Sequence, residues 1–356
     1  MMSKVDSCLF MYKTVICVVS VDDCLFRALS QSEIDNVMKS FKEDGPSYNW
    51  EHSKGESVSE LLGIDIMTLD NGGFQFCQTL LICKVLEATG MENCNGLPTR
   101  TKFEAPLGTD INGSEAKRDW TNSYSSVMGM MLYLASNTRP DISFAFHQCA
   151  WFTHNTKVSH ETAVKSICRY IQGTKDNGLV FNPSKKLMMD CYADTDFAGM
   201  WRHEDPQDPI CARSRTGFVV TFSNFPLLWV SKLQTEISLS TLHFEYVALS
   251  HSVRALLPLK SLIKEVIDNM VIYSENLKFV SRSTIYEDNN GAIVVATSPR
   301  MTPTSKHIAV KYYWFRQHVG KEFVIRKIKS EKQKADIFTK GLQGQIFVRI
   351  RKLLCG

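Results

Sequence analysis

The spacing of apolar residues changes along this chain and divides it into stretches of different structure. Val15 to Val21 is a β-branched run that ends at Asp22 and Asp23 and reads as a strand. Glu33 to Phe41 has helical spacing, and Gly45-Pro46 stops it. Leu61 to Met67 reads as a strand, Gly72-Gly73 as a turn into a second strand, and Leu80 to Thr89 as a helix. Thr101 to Gly113 is polar and turn-rich, which predicts a connection. Beyond it the pattern is helical. Tyr124 to Leu134, Asp141 to Thr153 (after Arg139-Pro140) and Glu161 to Gln172 have this spacing, and Gly173 closes the last.

Asn182-Pro183-Ser184 marks a boundary, after which the pattern shifts. Leu187 to Ala193, Arg215 to Phe222 and Leu227 to Lys232 read as three short strands of an antiparallel meander. Ser223-Asn224-Phe225-Pro226 joins the last two. A long helix from about Ser240 to Asp268 follows, with Pro258 predicted to kink it. Then come a strand to Asp288, a helix from Gly291, a basic helical stretch after Lys306, a strand from Glu322 to Ile328, and a final helix from Ala335. The order predicts an α+β fold.

Composition is that of an ordinary globular protein, with 44% hydrophobic and 22% charged residues over 356 positions, enough for two domains. No apolar run approaches the roughly 20 residues of a membrane helix, and the first residues lack the features of a signal peptide. These features predict an intracellular protein without a membrane partner. The 11 cysteines form no CxxC pair and none sits at zinc-ligand spacing from a histidine, so they read as reduced thiols. Net charge is +4, but its distribution is uneven: from Ser281 onward there are 15 Lys and Arg against 5 Asp and Glu. A basic region of this kind suggests a polyanion partner, nucleic acid first, with a solvated helix face as the alternative.

The carboxylates fall in an order that chemistry can use. Asp194 ends the first strand of the second half, in MMDCYADTDFAG, and shares parity with Asp190 and Asp196. Glu245 sits within the apolar stripe of Leu242, Leu249 and Val253, where a carboxylate is costly unless paired or bound to metal. Asp288 ends the next strand, beside Asp194 if the two strands are neighbours. Asp336 heads the last helix. Each has a plainer alternative: Glu245 turned to solvent, Asp288 as an N-cap, Asp336 as a helix-dipole partner. Clustered carboxylates repel one another unless a cation neutralises them, and hard oxygen donors select magnesium or manganese over zinc. Two such ions about 4 Å apart can activate water and stabilise the leaving oxygen of a phosphodiester.

YADTDFAG, LSTLHFEYVALSHSV, YEDNNGAI, TSKHIAVKYYWFR and the closing KADIFTKGL follow one another here as in copia-type retrotransposon Pol polyproteins, which this chain resembles over nearly its whole length. The resemblance implies a ribonuclease H-like domain with a five-stranded mixed sheet and helices. It implies that Asp194, Glu245, Asp288 and Asp336 are ligands of two Mg2+ or Mn2+ ions, and that the RNA strand of an RNA–DNA hybrid is cleaved. In the basic stretch from Lys306 to Lys334, Lys306, Lys311 and Arg316 are expected nucleic-acid contacts, His307 of TSKHI either a substrate contact or a structural residue, and the neighbouring aromatics Tyr312 to Phe315 partly core.

Upstream, VVSVDDCLF resembles the metal-binding hairpin of a reverse transcriptase, with Asp22 and Asp23 as a remnant metal site and Ser20 where the family has tyrosine. SELLGIDI, YSSVMGMMLYLASNTRPDISFA and AVKSICRYIQGTKDNGL continue the likeness. The expected organisation is a truncated reverse-transcriptase palm over 1–113, a helical thumb or connection over 114–183, and the ribonuclease H-like domain over 184–356. The fingers and the palm strand with the other catalytic aspartate lie upstream of this start, so polymerisation by the chain alone is not expected. The missing N-terminal part of the polyprotein is a further expected partner. Location by resemblance is cytoplasmic, in a virus-like particle, or nuclear. The rival expectation is a decayed copy that binds nucleic acid without cutting it.

Overall fold

A computed structural model describes residues 1–21, 23–44, 59–99, 107–116, 120, 123–182, 184, 186–196, 199, 212–237, 240–270, 278–298 and 313–356. The chain forms two compact units. The first comprises Met1–Val58, Lys185–Leu187 and Ala255–Phe279. It holds a three-stranded antiparallel sheet of β1 (Leu9–Tyr12), β2 (Val15–Ser20) and β3 (Asp23–Arg27), and the helix α1 (Gln31–Asp44). A cavity of about 770 Å³ lies between that sheet and α1, lined by Met11, Val15, Cys17, Cys24, Phe26 and Val37 among others.

The second unit carries two sheets and most of the helices. The smaller sheet orders β4 (Glu60–Leu61), β5 (Ile64–Thr68), β6 (Phe74–Cys77) and β7 (Leu179–Phe181), antiparallel throughout. Leu61 to Met67, expected as one strand, is therefore a hairpin. Leu62 and Gly63 both take positive φ and reverse the chain. The helices α2 (Thr79–Ala88), α3 (Tyr124–Asn137), α4 (Ser143–Ala150) and α5 (Val158–Gly173) follow. Ser123 caps α3 by accepting from the Ser126 amide. Asp141 lies in a 3-10 turn before α4.

The larger sheet is the α+β core expected from the sequence. Its strand order is β10 (Phe225–Leu233), β9 (Arg215–Phe222), β8 (Lys186–Asp196), β11 (Lys278–Glu287) and β12 (Phe323–Lys327). The β8, β9 and β10 strands pair antiparallel, whereas β11 and β12 pair parallel, so the sheet is mixed. The β9–β10 turn is tighter than expected. Ser223 and Asn224 both adopt positive φ in a two-residue connection, so Phe225 and Pro226 join the strand. The helix α6 (Thr241–Asn269) runs through Pro258 without a break. Then come α7 (Asn290–Thr297), α8 (Asp336–Thr339) and α9 (Gly344–Cys355). The last helix, expected as one, is thus two, separated at Lys340–Gln343 with Gly344 at positive φ.

One hydrophobic core joins the middle helices to the sheet. Ile82 and Leu86 of α2, Met131 and Leu134 of α3, Ile167 and Ile171 of α5, Val219 of β9, Phe338 of α8, and Phe347 and Ile350 of α9 belong to the same buried cluster. At its edge Arg139 and Asp141 form a fully buried ion pair at 2.9 Å. Tyr170 donates to Asp141 at 2.5 Å, and Arg139 also donates to the Thr174 carbonyl and hydroxyl. Every polar atom of this pair has a partner, which is what makes a buried charge tolerable.

Candidate metal centre

Three elements bring carboxylates to one place. Asp194 stands two residues before the end of β8, Glu245 in the first turns of α6, and Asp288 just beyond β11. β8 and β11 are neighbours in the sheet, so Asp194 and Asp288 meet as the strand order requires. Asp194, Glu245 and Asp288 each offer an oxygen within 4.8 Å of the others. Asp194 is 1% exposed and Glu245 6%, so neither is solvated as an isolated surface acid would be. The N-cap of α7 is Asn289, which accepts from the Ala292 amide, and this leaves Asp288 for the cluster.

Hydroxyl groups fix these carboxylates. Thr195 donates to Glu245, Thr339 to Asp194, and Ser330 to Asp288 at 2.7 Å. Burial pushes the Asp194 carboxyl up to about 7, helped by Asp336 and Asp288 and opposed by Lys340 and Thr339. Burial, with Asp194 next, pushes Glu245 up to about 9. The cluster therefore carries a charge conflict that a bound cation would resolve. The donor set consists of oxygens only, which suits a hard divalent ion.

Asp336 is at the head of α8, 8% exposed, and stands apart from the three-residue group. Its carboxylate takes the Lys340 ammonium at 2.9 Å, and the same ammonium lies 3.3 Å from Asp194. The sequence reading named neither Lys340 nor Glu287. Lys340 was legible as the residue four after Asp336 in KADIFTKGL. Glu287 is fully buried; one oxygen accepts from the Asn289 amide and the other has no partner among the described residues. Burial, followed by Glu245, raises its carboxyl well above the ordinary range. A glutamate beside the stronger candidate Asp288 gave no separate signal.

The remaining expected residues are placed as follows. Asp23 is exposed at the start of β3, and Asp22 lies outside the described residues. Lys306, His307 and Lys311 also lie outside them. Arg316 is half-buried in a 3-10 turn and donates to the Ser298 carbonyl. Phe315 beside it is fully buried, and Trp314 donates to the Ser250 hydroxyl at 3.1 Å, so both of these aromatics have structural roles. Asp190 accepts from the Thr284 amide of β11 at 3.1 Å. Every described cysteine is a free thiol. No described helix is long and apolar enough to cross a membrane.

No family model matches the chain. A retrovirus-related Pol polyprotein from transposon TNT 1-94 of Nicotiana tabacum is 30% identical over 78% of this chain and 20% of its own length. One from transposon RE1 of Arabidopsis thaliana is 27% identical over 94% of this chain and 21% of its own length. An uncharacterized mitochondrial protein of Arabidopsis thaliana is 31% identical over 54% of this chain and 75% of its own length. Among solved structures, a ribonuclease H1 isolated from compost aligns with 42% of this chain and 91% of its own, at 19% identity and a TM-score of 0.29. The chain spans about a fifth of the Pol polyproteins it matches. Retrovirus-related Pol polyproteins from copia-type transposons are thus homologues of this chain over most of its length, one of them over 94% of it.

Proposed function

We propose that the chain is a metal-dependent ribonuclease H that cleaves the RNA strand of RNA–DNA hybrids, within a portion of a transposon polyprotein. The observation that carries this reading is the convergence of Asp194, Glu245 and Asp288 within 4.8 Å from three separate elements. Magnesium or manganese, two ions in the full site, would be held by these residues with Asp336 and would supply the charge that activates water and stabilises the leaving oxygen. The chain's own groups prepare that site. Thr195, Thr339 and Ser330 fix the carboxylate rotamers, and burial keeps bulk water from screening them. The expected partner is the hybrid, with Lys306, His307, Lys311 and Arg316 assigned to its backbone. Location in cytoplasmic virus-like particles or the nucleus belongs to the same reading. Asp22 and Asp23 are assigned to a remnant polymerase metal site.

The test is cleavage of a labelled RNA–DNA hybrid in magnesium, with the Asp288→Asn variant alongside. RNA cleavage by the parent and not by the variant supports the reading. Cleavage by both moves the activity to another site. No cleavage by a folded parent, with salt-dependent hybrid binding retained, selects a second reading, a remnant that binds without cutting. Ser20, standing where the family has tyrosine, is the observation that favours the second reading.

A further inference from the structure

Lys340 does more than flank α8. Residues 336 and 340 are four apart, so one turn presents the Asp336 carboxylate, the Thr339 hydroxyl and the Lys340 ammonium together. The hydroxyl and the ammonium both reach Asp194, while the ammonium also holds Asp336 at 2.9 Å. Asp336 therefore meets Asp194 across a side-chain cation. The grouping of Asp194, Glu245 and Asp288 excludes it.

We propose that Lys340 is a built-in counter-cation between Asp194 and Asp336, so that a first divalent ion binds at Asp194, Glu245 and Asp288 and a second binds only by displacing the ammonium. This inference rests on the metal-dependent reading above. Lysine suits the role because its charge is compact and sits on a flexible stem. The Lys340 side chain is 40% exposed, so it has a path to solvent once displaced. Lys340 is in this sense a positioning residue that sets the order in which the site fills.

The experiment is a manganese titration of the full chain, reading free Mn2+ by electron paramagnetic resonance, for the parent, Lys340→Met and Lys340→Arg. The parent is expected to show one tight site and a second at least about tenfold weaker, the scale on which neighbouring groups tune metal affinity. Lys340→Met should tighten the second site until the two are nearly equal, and Lys340→Arg should keep the parent's pattern. Two equal sites in the parent, or an unchanged pattern in Lys340→Met, overturns this proposal and leaves the nuclease reading standing. No manganese bound by the folded parent overturns both. If Lys340→Met does not fold, lysine acylation of the parent decides, read by mass spectrometry. The Lys340 rate should be flat as the first site fills and rise several-fold as the second fills. A rate that stays flat through both sites overturns the proposal.

Discussion

The indole of Trp229 on β10 donates to the Ala135 carbonyl on α3 at 2.7 Å. A residue of the five-stranded sheet thereby satisfies the last turn of a helix that precedes the sheet in sequence. We expect Trp229→Phe, which keeps an aromatic ring and removes the donor, to lower stability by about 1 kcal/mol, as a single hydrogen bond does. Urea unfolding of the two proteins measures this. Residues 184–356 expressed alone should lack cooperative unfolding, because Phe338, Phe347 and Ile350 lose the helices they pack with. A sharp, two-state transition from that fragment would contradict the shared core.

The Arg139–Asp141 pair is fully buried, and each member satisfies the other. Asp141→Ala strands the guanidinium and should cost about 3–5 kcal/mol, the usual penalty for breaking a buried pair from one side. Replacing both residues with apolar ones should restore part of that loss. Denaturant midpoints of the single and double variants give the comparison, and a single variant within about 1 kcal/mol of the parent would contradict it.

Gly217 pairs directly across from Asp194 in the β8–β9 ladder. A Cβ there would meet the Thr339 methyl at 2.5 Å and Phe338 Cβ at 2.8 Å. Gly217→Ala should therefore push α8 outward, destabilising the fold by about 1–3 kcal/mol. Because α8 carries Thr339 and Asp336, manganese affinity should fall as well. A variant with parent-like stability and metal affinity would show that α8 is free to shift without consequence.

Asp194 titrates at about 7 and Glu245 at about 9 in the fold, against ordinary values of 3.8 and 4.5. Both groups hold protons more tightly folded than unfolded. The native state therefore binds more protons between about pH 4 and pH 9, and stability falls as pH rises through that window. Without divalent metal, the thermal midpoint should drop steadily from pH 5 to pH 8.5. Magnesium should reverse the drop at the alkaline end and release protons when it binds near pH 6. A pH-independent midpoint in chelator would mean that the cluster is better solvated than its burial implies.

The sheet was legible because turn residues separate its strands and because the apolar spacing changes at Asn182-Pro183-Ser184. Asp194, Glu245 and Asp288 were legible because two end strands and one interrupts an apolar helical stripe, which are sites where a carboxylate needs a reason. What escaped was local and three-dimensional. A hairpin at Leu62-Gly63 hid inside one apolar run, since only the left-handed φ of those residues reveals the reversal. The sharing of Lys340 between Asp194 and Asp336 depends on how α8 approaches β8, which no period in the sequence encodes.

The core shared by α2, α3, α5 and α9 also has a temporal side. Phe347, Ile350, Leu354 and Cys355 complete a cluster whose other walls are built from residues as early as Ile82. During synthesis those earlier helices emerge before α9, which later covers part of their apolar surface. Loss of α9 would leave that surface open to aggregation and chaperone capture.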